Sequence, residues 1–82
     1  MKSIKMTQQE VAEWILDILV NDLRLKPHDA VPDQQLKQKY RDRKGDSADI
    51  KEGLKYAADQ EWLMYEPTTQ KWHLTELGHE NA

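Results

Sequence analysis

The sequence predicts an α+β domain that is mainly α: a core of three helices followed by a small C-terminal two-stranded β-hairpin. Three observations lead there. An unusually apolar segment near the start of the chain recurs with helical period. A second helical pattern, Ile50, Leu54, Ala57 and Ala58, follows a polar turn around Gly45. At Trp62 the period changes from helical to alternating, through Trp62-Leu63-Met64-Tyr65, a turn at Pro67-Thr68-Thr69-Gln70, and a return at Lys71-Trp72-His73-Leu74-Thr75. The 82 residues are read as one domain, 1–82. A chain of this size buries only roughly 60% of its unfolded surface, so the core is small.

The first helix is expected over about 8–25, with Pro27 just beyond its end. Thr7 and Glu10 have capping-box spacing, and Met6 and Val11 are placed for a hydrophobic staple around it. Ala12, Ile15, Leu16, Leu19 and Leu23 form one broad apolar stripe, which Trp14, Ile18, Val20 and Leu25 widen. The stripe exceeds the face of about 100° that a surface helix needs. Two readings follow. The helix is the central core helix, packed on several sides; or Val11, Trp14 and Ile18 meet a second copy of the chain and form a homodimer interface.

Asp33, after Pro32, is a plausible cap for a second helix over about 34–43, whose apolar content is only Leu36 and Tyr40. Lys44-Gly45 supplies the next turn, with Gly45 free to take positive φ. Asp46 or Ser47 can cap a third helix over about 47–60. Strands are expected at about 62–66 and 71–75, with Leu63 in the core and Pro67, which cannot donate to a ladder, ending the first of them. The polar tail from Glu76 has room for one last helical turn.

A capped helix, then Trp62-Leu63 opening a hairpin, then Leu74-Thr75-Glu76-Leu77-Gly78, resembles the third helix and wing of the winged helix-turn-helix family. The resemblance covers most of the chain. It implies a very short strand at Ala30-Val31, a third helix that enters the DNA major groove, and a wing that touches the backbone. That family often has glycine where Glu61 stands here.

The charged run Lys37, Lys39, Arg41, Arg43 and Lys44 is broken among charged residues only by Asp42. Such a run either grips phosphates or is a solvated helix face. The resemblance adds Ser47, Lys51 and Lys55 on the third helix and Lys71 on the wing, so the candidate DNA contacts are Lys37, Arg41, Arg43, Lys44, Ser47, Lys51, Lys55 and Lys71. Asp49, Glu52 and Asp59 on the same helix repel phosphate. The net charge of −3 also counts against strong non-specific nucleic-acid binding. The expected function is a duplex-DNA-binding transcriptional regulator, with double-stranded DNA and a second copy of the chain as partners. The alternative is a winged-helix module that binds a protein partner and no DNA.

Other classes find little support. The chain has no cysteine, so it has no disulfide and no thiolate metal site. His73, Glu76 and His79 lie close together but lack a fourth ligand at suitable spacing, so no metal or other cofactor is expected. No nucleophile–base pair on a strained or glycine-rich turn marks an enzyme. Gly53 and Gly78 are isolated and cradle no phosphate. No apolar run approaches the roughly 20 residues of a membrane span, and the start of the chain does not resemble a signal peptide. A cytoplasmic protein is expected.

Overall fold

The computed structural model describes residues 7–43, 45 and 47–82, with Ser47 described by its backbone alone. The expected roles of Met6 in a staple and of Asp46 in a cap therefore lie outside the described residues. The chain forms α1 (Gln8–Asp17), a π-helical turn (Ile18–Asp22), β1 (Ala30–Pro32), α2 (Asp33–Asp42), α3 (Ser47–Asp59), β2 (Leu63–Glu66), β3 (Lys71–Leu74) and α4 (Glu76–Glu80). The architecture is mainly helical with a small three-stranded antiparallel sheet, an α+β arrangement.

Helix α1 starts as its sequence dictates. The Thr7 hydroxyl accepts from the Glu10 amide at 3.1 Å, and the Glu10 carboxylate accepts from the Thr7 amide at 2.8 Å. The helix ends earlier than position 25. Leu23 donates to the Ile18 carbonyl at 2.9 Å, five residues back, and Arg24 turns into the left-handed region at φ 54°. Leu25 then closes the end by donating to the Leu19 carbonyl at 2.9 Å. Leu23 and Leu25 thus stay half-buried in the capping turn rather than on the helix.

Val11, Ala12, Ile15, Leu16, Ile18 and Leu19 are all buried, which makes this the central helix of the core. The expectation of a dimer interface at Val11, Trp14 and Ile18 is corrected for Val11 and Ile18. Val11 and Ile18 are covered by the chain's own core, and Trp14 is half-buried with its ring 5.1 Å from that of Tyr40. Helix α3 packs against α1 at Gly53: a Cβ there would run into the Val11 side chain and lie 3.1 Å from the Ala12 amide nitrogen. Gly53 is therefore a contact residue between two helices, which explains why a helix interior tolerates it.

Two glycine positions differ from expectation. Gly45 does not take positive φ; the place its side chain would fill is occupied by the ring of Tyr40. The left-handed residue that links α3 to β2 is instead Glu61, at φ 63°. Trp62 donates to the Ala57 carbonyl at 2.9 Å and Glu61 to that of Ala58 at 3.0 Å, the paired bonds of a Schellman turn, with Trp62 and Ala57 buried beside each other in sequence register.

The sheet order is β1-β3-β2, so the return strand is central and the hairpin gains a third strand at Ala30–Pro32. Val31 faces Trp72, Leu63 faces Leu74 and Tyr65 faces Trp72. Val31, Leu63 and Leu74 are buried, so this set of positions is the inner face. Met64, Glu66, Lys71 and His73 occupy the outer face by alternation. Thr75 caps α4, accepting from the Gly78 amide at 3.0 Å, and its hydroxyl donates to the Glu61 carbonyl at 2.6 Å. Gly78 is buried where a side chain would strike the Trp62 carbonyl. Among the described residues, no helix is long and apolar enough to cross a membrane.

Candidate nucleic-acid interface

One groove draws residues from three elements. Its apolar base is Ile50 and Leu54 of α3, its cations are Lys37 of α2 and Lys51 of α3, and its far side is Tyr65 and Trp72 of the hairpin. Asp33, the first residue of α2, organises it. The Asp33 amide donates to the Gln70 carbonyl at 2.9 Å, which ties the end of the hairpin turn to the start of the helix. Its carboxylate accepts from the Trp72 indole at 2.8 Å and pairs with the Lys37 ammonium at 3.0 Å. The Tyr65 and Trp72 rings stand 4.8 Å apart, tilted by 50°. An indole N–H in a half-buried place needs an acceptor, and an aspartate at a helix start is well placed to give one.

The candidate contacts separate into groups. Lys37 and Lys51 meet in this groove. Lys55 is exposed one turn further along the same side of α3, and Ala48 is exposed one turn before Lys51. Arg41 lies next to Lys37 in a shallow depression on the outside of α2 and donates to the Gln38 side chain at 3.0 Å. Lys71 is exposed on the outer face of the sheet, across from Glu66 and Pro32, so it does not share the groove. Lys44 and the Ser47 side chain lie outside the described residues.

Arg43 is placed differently from its neighbours in the charged run. Its guanidinium pairs with Asp17 at 2.6 Å and with Asp22 at 3.2 Å, and only 26% of its side chain is exposed. It anchors the C-terminal end of α2 to the end of α1 and the π turn. The expectation that Arg43 grips phosphate is corrected on that ground: its planar fork is already engaged by two carboxylates. The hydrogen bond from Arg43 holds the Asp17 carboxyl below the usual aspartate value, with Asn21 adding to the effect. The same bonds, from Asp17 first and Asp22 second, raise the Arg43 guanidinium further.

The acidic residues of α3 are not all aimed at the groove. Glu52 accepts from the Gln8 side chain at 2.7 Å and so faces the start of α1. Sequence reasoning passed over Asp33, Tyr65 and Trp72 as members of this site. The Asp33–Lys37 pair was legible from its spacing of four residues. The Asp33–Trp72 bond spans 39 residues, and nothing local announces it. What the groove offers chemically is the Lys51 ammonium and an Asp33–Lys37 ion pair beside an apolar, aromatic-walled base. No protein-family model, curated protein or solved structure matches this chain.

Proposed function

We propose that the chain is a winged-helix domain that binds duplex DNA and regulates transcription, with α3 in the major groove and the β2–β3 hairpin as a short wing. One observation carries the reading: Lys51 and Lys55 lie exposed along one side of α3, and Lys37 of α2 meets Lys51 across a single groove. The element order supports it, since a short strand, two successive helices and an antiparallel hairpin follow the core helix. Lysines so placed neutralise phosphates and set the register of the helix on the duplex. Ala48 offers a methyl group of the kind that contacts thymine. With Glu52 directed toward Gln8, the cationic side of α3 carries less opposing charge than its sequence implies.

A salt titration of duplex binding tests the proposal. Two phosphate contacts, from Lys51 and Lys55, give a slope of log affinity against log salt near about −2 for each copy of the chain, since Lys37 is paired with Asp33. Lys51→Ala and Lys55→Ala each flatten that slope by about 1. Arg43→Ala leaves the slope unchanged, because its guanidinium faces Asp17 and Asp22. Absence of duplex binding at low salt overturns the reading, as does a slope indifferent to both lysine variants.

A further inference from the structure

We infer that the outer face of the sheet is a docking surface for a basic, amphipathic segment of a protein partner. Met64 and His73 lie on the opposite side of the sheet from Trp72, while Tyr65 borders both this face and the α3 groove. Two shallow depressions adjoin here and share His28, Met64 and Thr75. Met64 is 63% exposed and Leu77 is 44% exposed, and both line this surface. A contiguous exposed apolar patch, unlike single scattered side chains, marks an interaction site.

Charge identifies the occupant. The residues lining the two depressions include Glu61, Glu66 and Glu76 and no lysine or arginine. Lys71 stands across from Glu66 at the far end of the sheet. Glu66 is held in place by His73 at 2.9 Å and by the Thr69 hydroxyl at 2.9 Å, so one rim carboxylate is preset rather than free to fold away. Apolar anchors inside a carboxylate rim fit a segment whose own apolar side chains are flanked by lysine or arginine; like-charged partners are repelled.

The test titrates the isotope-labelled full chain with a short amphipathic Lys/Leu peptide, its Glu/Leu counterpart and a Lys/Ser peptide, following backbone amide shifts. The Lys/Leu peptide is expected to bind, with shifts at residues 63–66, 73 and 77, while the other two bind at least roughly tenfold more weakly. Met64→Ser combined with Leu77→Ser, both at exposed positions that leave the core intact, weakens the Lys/Leu peptide by roughly tenfold. Glu61→Gln, Glu66→Gln and Glu76→Gln together remove most of the salt dependence of that binding. Equal binding of the Lys/Leu and Glu/Leu peptides, shifts centred on Lys51 instead, or no binding overturns the inference. Sedimentation showing that the chain alone self-associates through Met64 and Leu77 also overturns it, since the occupant is then a second copy.

Discussion

Glu61 holds a backbone conformation that suits glycine. Its left-handed φ of 63° costs a residue with a side chain about 1–2 kcal/mol. Glu61→Gly removes that cost but frees the unfolded chain, so the expected net gain is about 0.5–1 kcal/mol. In a domain this small each kcal/mol moves the melting midpoint by roughly 4–8 °C; a thermal melt in which Glu61→Gly unfolds earlier than wild type contradicts the turn. Gly53 is the opposite case. Alanine is the better helix former by about 1 kcal/mol, yet its methyl meets Val11, so Gly53→Ala is expected to lower stability by about 1–3 kcal/mol in urea unfolding. Arg43 supplies a pH test. The Asp17 carboxyl is held below its ordinary value by the Arg43 hydrogen bond, so its contribution is complete above the unfolded-state value of about 4. It is lost as pH falls through the lowered folded value. Both partners are partly exposed, so Arg43→Ala is expected to cost no more than about 1 kcal/mol near neutral pH. The variant and wild type converge in acid; a gap that persists in strong acid excludes this pair as its source.

Among the elements, the joint between the hairpin and α2 concentrates the most consequence in the fewest atoms. Asp33 receives the Trp72 indole and the Lys37 ammonium while its amide holds Gln70. Trp72→Phe keeps an aromatic ring but removes the N–H and part of the indole's bulk, and is expected to cost about 1–2 kcal/mol. Hydrogen exchange at the β3 amides quickens by the matching factor, whereas exchange on α1 changes less. The limits of sequence reasoning lie at this same scale. The capping box of Thr7 and Glu10 was readable because both partners lie within one turn. The passage from α3 into β2 was readable because the period changes at Trp62 with no linker between. The left-handed residue there showed only through the resemblance, in the glycine that family often has at position 61, because glutamate itself carries no local sign of that conformation. The partners of Arg43 lie 26 and 21 residues away, so a charged run shows where cations are and not which way they face. The apolar breadth of α1 fitted both a core and an interface, and only the position of α3 at Gly53 separates them.

On the scale of the whole molecule, the two described faces differ in sign: lysines beside α3, carboxylates on the outer sheet. That polarity reconciles a net charge of −3 with a local cationic groove. Trp14 is half-buried against Tyr40, so Trp14→Ala is expected to cost about 3 kcal/mol, a large share of the stability of so small a core. Sedimentation of the fraction that stays folded is expected to be unchanged; dissociation of a larger species by this variant shows that the exposed part of Trp14 meets a second copy. The π turn that follows α1 has an effect beyond its own hydrogen bonds. On a regular helix, at about 100° per residue, side chains five positions apart diverge by about 140°. A turn closed by an i→i+5 bond brings them back to nearly the same side, which is how Asp17 and Asp22 reach one guanidinium. The widened coil and the double ion bridge therefore hold each other in shape.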